Sequence, residues 1–198
     1  MHQNSLSIMR LLASISLLLL LFSHASAALA KTDVDTTEYR KIFLSEEDLP
    51  WMKLGQTNLI SKPDKEDVSF ARFHGQLVGM RVWNGSNEDT VMRLNDIRWV
   101  FPDDSSAESY FLATLHDNSE SAPLIRSQPL GDDNRAYGGS LSMGGMKMVN
   151  YYSLFRVARV VCKLFASQGY SVNSQILHLD RVQQIGQQIV ARIRAAHL

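Results

Sequence analysis

The sequence predicts an α+β fold in which an antiparallel sheet carries an internal helix and an amphipathic C-terminal helix packed on one face. Two runs, 93–101 and 149–165, are rich in valine and aromatic residues, as strands are. Two other segments, 103–117 and 179–196, carry helix signals. Because strands come in runs with helices between and after them, the order favours an antiparallel sheet over alternating parallel units.

The C-terminal helix is the most strongly patterned element. Its apolar residues recur every three or four positions, with arginine and glutamine between them. The apolar positions are Leu179, Val182, Ile185, Ile189, Ile193 and Ala196. The internal helix has a different signal, because Ser105 and Glu108 stand at the two positions of a capping box. Asp103 and Asp104 could also be metal ligands, but helix capping explains both residues more simply.

Weaker patterns define the rest of the chain. Residues 68–83 alternate, and with a turn at Gly75-Gln76 they predict a hairpin. Asn84-Gly85 is a strong turn signal, and Asn84-Gly85-Ser86 also fits the glycosylation sequon. Residues 57–67 are polar and contain Pro63, which predicts a loop. Ser45 and Asp48 can cap a short helical turn before Pro50, and residues 124–130 predict a short strand.

The N-terminal thirty residues have the composition of a secretory signal peptide. Arg10 precedes an apolar run at 11–22, and small residues at 25–30 offer cleavage sites. The run is shorter than the ~20 residues that span a bilayer, although an uncleaved anchor is the alternative. We therefore predict a signal peptide at 1–30, a leader with a helical turn and a loop at 31–66, and an α+β domain at 67–198. The predicted localisation is secreted or periplasmic.

Charge and cysteine content exclude several classes of protein. Lysine and arginine total 20, as do aspartate and glutamate, so the chain lacks the basic surplus of a nucleic-acid-binding protein. Cys162 is the single cysteine, so no internal disulfide can form and the fold depends on its hydrophobic core. We interpret Cys162 as a buried small apolar residue rather than a reactive thiol.

A glycine- and methionine-rich stretch, 130–148, invites a ligand-binding interpretation. A nucleotide loop would need lysine after the second glycine, where Gly145 stands. A calcium loop beginning at Asp132 would need glycine at its sixth position, where Tyr137 stands. The stretch is therefore predicted to be a hairpin or a flexible loop, with its glycines permitting turns. Its methionines could pack in the core or form an adaptable lid over an apolar groove.

No catalytic motif and no cofactor motif is found, and the histidines lack the spacing of a zinc site. The sequence therefore predicts no catalytic residues, no metal and no cofactor. Candidate ligand-binding residues are two tryptophans, a polar turn and two methionines. They are Trp83, Trp99, Asp132, Asp133, Arg135, Met143 and Met146. The polar three fall on a predicted turn, where functional residues often lie, although turn hydrogen bonding explains them as well.

Several stretches resemble a loose group of bacterial extracytoplasmic domains, some of them related to the PsbP/Mog1-like α/β sandwich. The stretches are FLSEEDLPWMKL, FPDDSSAESYFLATL, LGDDNRAY, SLFRVARVVCKLF and RVQQIGQQIVARIRA. The chain lacks the lipobox cysteine that many such domains carry. It also has Ala158-Arg159 where their last strand pair often turns at Gly-Asn, so one bulged strand and a hairpin stay equally open. The resemblance implies a non-catalytic binding or accessory role.

Together these observations predict an exported, soluble, non-enzymatic domain that binds an apolar small ligand, a lipid or a partner protein of the envelope. The alternatives are a secreted enzyme whose site is scattered in sequence, and an envelope assembly or structural factor. A tryptophan- and methionine-lined pocket would favour the binding domain. Converging acid, base and nucleophile would favour the enzyme.

Overall fold

In the part of the chain that the structure describes, six antiparallel strands form one sheet. The computed structural model describes residues 36–60, 68–87, 90–118, 123–143, 146–170 and 176–198, and the predicted signal peptide lies outside them. The strands are β1 Lys53–Ile60, β2 Leu77–Asn87, β3 Thr90–Val100, β4 Asp133–Met143, β5 Met146–Val157 and β6 Val160–Tyr170. The helices are α1 Thr36–Lys41, α2 Val68–Arg72, α3 Asp104–Asn118 and α4 Leu179–Ala195.

The sheet consists of two three-stranded meanders. Strands β1 to β3 pair in sequence order, as do β4 to β6, and β3 pairs with β6 to join the two. The internal helix α3 connects the meanders, and α4 follows the second. The α+β class and the antiparallel sheet therefore agree with the sequence prediction.

The helices do not lie on one face, as the sequence predicted, but on both. Leu154 packs with α2 and α3, whereas its neighbour Phe155 packs with α4, and successive strand residues point to opposite faces. Val160 and Val161 divide in the same way. Because β5 and β6 are apolar at both alternations, each face needs a cover. We call the two sides the α4 face and the α3 face.

The N-terminal segment belongs to this fold. Residues 53–60, predicted as leader and loop, form the edge strand β1, and the compact unit begins at Val34. Ile42, Leu44 and Leu49 are buried in the core of the α4 face. Residues 36–52 therefore cover a part of that face beside α4.

Two local predictions in the first meander were wrong. Residues 68–72 form the helix α2, not the first strand of a hairpin, and Phe70 is fully buried against Phe101 on the α3 face. Asn84-Gly85 lies within β2, where Asn84 pairs with Arg93 and Gly85 with Met92. The turn signal is overridden because an eleven-residue ladder runs through it.

The 130–148 stretch is a hairpin, as predicted. Strand β4 ends at Met143 and β5 begins at Met146, while residues 144–145 between them lie outside the described part. Gly138 and Gly139 do not form a turn, since they lie inside β4 opposite Tyr151 and Asn150. Residues 124–130 were predicted to form a short strand, but the structure shows a single β-bridge there, between Leu124 and Tyr137.

The run at 149–165 is resolved as a hairpin. Strand β5 pairs with β6 up to Val157 and Val160, and Ala158-Arg159 form the two-residue turn. Ala158 has a φ of 47°, in the left-handed region that such turns require. At α3, Asp103 rather than Ser105 is the cap, because its Oδ1 accepts a 2.7 Å hydrogen bond from the backbone N–H of Ser106.

A buried ion pair lies at the centre of the α4 face. On β3, Arg98 donates through Nε and Nη2 to the two carboxylate oxygens of Asp96, at 2.8 and 2.7 Å. The side chains are 0% and 1% exposed. The ring of Phe43 lies 4.6 Å from the Arg98 guanidinium and 5.4 Å from that of Arg81, which also donates to the carbonyl of Leu44. These contacts hold the N-terminal segment on the sheet.

The same segment is tied to α4 by the predicted Ser45–Asp48 turn. The Asp48 carboxylate accepts hydrogen bonds from the Ser45 backbone N–H at 2.6 Å and from its hydroxyl at 2.8 Å. It also accepts one from Arg192 of α4 at 2.6 Å. Burial by itself would raise the pKa of Asp48, but the hydrogen bonds from Arg192 and Ser45 lower it below its ordinary value.

The docking of α4 is tested at Ile189, which is fully buried. Ile189→Ala removes three buried carbons, so we expect the free energy of unfolding in urea to fall by about 2–5 kcal/mol. Gln188→Ala, at an exposed neighbouring position, should change it by about 0.5 kcal/mol or less. Equal effects of the two variants would show that α4 does not cover the core.

The turn at Asp48 predicts a pH-dependent contribution to stability. A lowered folded-state pKa stabilises the fold above the ordinary pKa of 3.8, and this stability is lost as the pH falls through the folded-state value. Asp48→Asn should therefore destabilise the protein by about 1 kcal/mol at pH 7, and the difference should shrink below pH 3.8. Chemical denaturation across this pH range measures it. The exposed Glu47→Gln serves as the control, and a pH-independent gap would contradict the assignment.

Candidate functional site

A groove opens on the α4 face where β4, β5 and β6 extend beyond the start of α4. It has a volume of about 420 Å³, which lies within the range of small-molecule sites. Register places Ser140 opposite Val149 and Gly138 opposite Tyr151, so these positions share one face. The lining residues are Ile125, Gly138, Gly139, Ser140, Val149, Tyr151, Tyr170 and Leu179.

The outer wall of the groove is built on Gly138. Its backbone N–H donates to the carbonyl of Pro123 at 3.1 Å, and Ile125 donates back to Ala136 at 3.0 Å. Residues 123–125 therefore add to the edge of β4. A Cβ at Gly138 would lie 3.1 Å from Ile125 and 3.2 Å from Tyr151, closer than ordinary packing. Glycine at this position lets the Ile125 and Tyr151 side chains approach each other across the strand.

The opposite wall is fixed by Gln168 of β6. This side chain is 1% exposed, and its Oε1 accepts hydrogen bonds from the backbone N–H groups of Ile176 and Leu177, at 2.9 and 2.6 Å. Two backbone donors just before α4 are thereby satisfied inside the protein. The contact sets where α4 begins and so places Leu179 at the groove.

The lining of the groove is uncharged and mainly apolar. Aliphatic and aromatic side chains form most of the lining, with Ser140 and the phenols of Tyr151 and Tyr170 as its polar side chains. Among the lining residues that the structure describes, no side chain is a carboxylate, an imidazole or a thiol. An apolar molecule with one or two hydrogen-bonding groups matches this surface.

The two predicted tryptophans do not form one site. Trp83 is fully buried on the α4 face, whereas Trp99 lies on the α3 face, 5.6 Å from the ring of Tyr110. The sheet itself lies between the two faces, so one pocket cannot include both rings. Met143 and Met146 end β4 and begin β5, and their side chains lie outside the described part of the structure.

The two aspartates of the predicted polar turn make contacts within the fold. Asp132 accepts a 2.7 Å hydrogen bond from the N–H of Ala158, and Asp133 accepts from Arg156 at 2.7 and 2.8 Å. Arg194 of α4 lies 3.6 Å from Asp132. These contacts join the start of β4 to the β5–β6 turn and to the end of α4. Arg135 is exposed and donates to the carbonyl of Asn134 at 2.9 Å.

Sequence reasoning missed the groove, although it singled out the stretch that borders it. The glycines were interpreted as turn formers, and Val149 and Tyr151 as ordinary strand residues. Their alternation placed them on one face, but it could not show that a groove opens beside the start of α4. Leu179 and Tyr170 enter the site only through the positions of the last strand and helix.

Cys162 is placed deep in the core beside the buried ion pair. It pairs in register with Arg98 and is 1% exposed. Burial raises the pKa of its thiol to about 12, with the Arg98 guanidinium opposing the shift and Asp96 adding to it. A thiol with this pKa is protonated at neutral pH and is a poor nucleophile.

Comparison with known proteins shows a likeness in fold. No family model and no curated protein matches the chain. The fold is similar to the crystal structure of the extracellular domain of PknH from Mycobacterium tuberculosis, with a TM-score of 0.51 and 13% sequence identity. The match covers 80% of this chain and 97% of that domain. The likeness to the PsbP/Mog1-like sandwich stays a prediction. No helix among the described residues is long and apolar enough to cross a membrane.

The environment of Cys162 predicts that its thiol is inert in the folded protein. Ellman's reagent at pH 7.5 should give no reaction with the native protein and one thiol per chain in urea, because unfolding exposes the side chain and returns its pKa toward 9.0. The measurement is the absorbance of the coloured thiolate that the reagent releases, with and without denaturant. Rapid reaction of the native protein would contradict the burial of Cys162.

Proposed function

We propose that this protein is an extracytoplasmic, non-enzymatic binding domain that holds an apolar small molecule in the groove beside β4, β5 and α4. The observation that carries the proposal is the groove itself, an uncharged depression on the sheet face that α4 and residues 36–52 cover elsewhere in large part. The volume of the groove and its mainly apolar lining lie within the range of small-molecule sites.

The groove is built from fixed parts of the fold. Gly138 sets its outer wall through the backbone pairing with Pro123, and Gln168 sets its inner wall through the segment before α4. A preformed site loses little conformational entropy on binding, so a modest apolar contact area gives useful affinity. This supports a binding domain more than an interaction surface that must first become ordered.

Two further observations support the location. Residues 1–30 have the composition of a secretory signal peptide, which favours export of the chain. The solved structure with a similar fold is an extracellular domain of another protein. An enzyme would need converging acid, base or nucleophile, and the groove presents only hydroxyl groups in the described residues. The binding domain is therefore the better supported function.

Filling the groove tests the proposal. Ser140 and Leu141 are neighbours on β4, both exposed, and they point to opposite faces of the sheet. Ser140→Phe should place a ring in the groove and weaken binding of the neutral probe N-phenyl-1-naphthylamine about tenfold, while Leu141→Phe should leave binding unchanged. Fluorescence titration of the purified proteins, with excitation of the probe alone, gives the dissociation constants.

The outcomes separate the groove from the rest of the surface. Equal affinity in both variants and the unaltered protein would show that the probe binds elsewhere. Matching melting temperatures would show that Ser140→Phe acts locally and not through the fold. Native mass spectrometry of protein from its own host identifies a retained natural ligand, and a mass shift that Ser140→Phe abolishes would connect that ligand to the groove.

A further inference from the structure

A second cavity lies on the same face at the opposite edge of the sheet. It has a volume of about 230 Å³ and is bordered by α1, the segment after it, β1 and β2. The lining residues are Arg40, Phe43, Thr57, Asn58, Leu59, Met80 and Arg81. No carboxylate is among them. This cavity differs from the groove because its lining includes two guanidinium groups, those of Arg40 and Arg81, beside apolar side chains.

The interior beside this cavity has a surplus of hydrogen-bond donors. Arg81 Nε, Arg98 Nη1 and Trp83 Nε1 are buried on the α4 face, and none has an acceptor in the described part of the structure. Strand register places Arg81 between the other two on this face, and Arg81 is the one of the three that lines the cavity. Buried donors without partners are costly, so the complement of this region is an acceptor-only group.

The charged groups near the cavity also favour an anionic ligand. Burial lowers the pKa of Arg81, and the nearby guanidiniums of Arg98, Arg192 and Arg40 lower it further, while Asp96 alone raises it. The Asp96 carboxylate is already held by both arms of Arg98. Arg192 likewise has Asp48 as its partner at 2.6 Å. Arg81 and Arg40 thus leave a local excess of positive charge at the cavity.

From this geometry we propose that the cavity binds a small organic anion, a carboxylate with a short apolar tail. Its carboxylate accepts hydrogen bonds from Arg81 and Arg40, as planar guanidiniums recognise planar carboxylates. Thr57 supplies a further polar side chain on the β1 side, because register pairs it with Arg81. Phe43 and Leu59 contact the tail. This site is independent of the groove and does not rest on the function proposed for it.

A titration followed by amide NMR tests the site and locates it. Sodium hexanoate, added at constant ionic strength, should move the backbone amide signals of Thr57, Asn58 and Arg81 along saturable curves. Hexan-1-ol has a similar tail without the charge and should not saturate them. Inorganic phosphate supplies charge without the tail and should bind at least several-fold more weakly than hexanoate.

Matched arginine variants complete the test. Arg40 is exposed and lines the cavity, so Arg40→Gln should keep the melting temperature and weaken hexanoate binding about tenfold. Arg93 is also exposed, but it lies on β3 and faces the other side of the sheet, so Arg93→Gln should have no effect.

Several results would overturn the proposal. The first is shifts confined to Gly138, Gly139 and Ser140, because hexanoate would then occupy the groove. Saturation by hexan-1-ol with equal affinity would show that the guanidiniums play no part, and tighter binding of phosphate would remove the role of the tail. Equal losses in Arg40→Gln and Arg93→Gln would mean that only net charge matters.

Discussion

The Asp96–Arg98 pair is the interaction on which most of the α4 face depends. It lies on β3, which pairs with both β2 and β6, and both side chains are removed from water. Desolvating two charges is expensive, and the bidentate geometry offsets much of that cost. Loss of either partner would leave an uncompensated buried charge, a defect of about 3–5 kcal/mol. The pair therefore constrains every element packed above it.

The N-terminal segment shows how this constraint spreads. Phe43 lies over the guanidiniums of Arg98 and Arg81, a cation–π arrangement that a desolvated site strengthens. Gly79 has no side chain to obstruct the ring, since a Cβ there would overlap Phe43. The Arg81 donor to the Leu44 carbonyl and the Asp48–Arg192 contact then join strand, segment and α4. A charged centre thus organises an otherwise apolar layer.

How far the sequence predicted the structure depended on how local each signal was. The helix α4 was predicted well because its seventeen residues repeat one amphipathic period. Residues 68–72 were misassigned because alternation over five positions fits a strand as well as a short helix, and burial of Phe70 decided between them. The Asn84-Gly85 turn signal failed because pairing on both sides of β2 outweighed it. Strand β1 was missed because its middle positions are polar and exposed, as edge strands often are.

The two candidate sites were harder to predict, because each combines residues from distant parts of the chain. The groove needs Ile125, Gly138 and Leu179 together, and the cavity needs Arg40 beside Arg81. Strand register and the starting point of α4 bring the residues of each site together. Neither can be inferred from a short stretch of sequence. The Asp132–Asp133 turn, in contrast, was visible in sequence, and its contacts follow from ordinary turn chemistry.

The joining of two meanders at a single strand pair has a consequence for how the chain folds. Within each meander, neighbouring strands are also neighbours in sequence, so closing those loops costs little entropy. The β3–β6 pairing is different, because partners such as Asp96 and Leu164 are roughly seventy residues apart in the chain. We expect each meander to form early and the β3–β6 pairing, the central seam of the sheet, to form late. Burial of the Asp96–Arg98 ion pair would then be the step that commits the chain to its native topology. Folding kinetics of Leu94→Ala and Leu164→Ala, whose side chains pack on either side of that seam, would reveal the order through their φ-values.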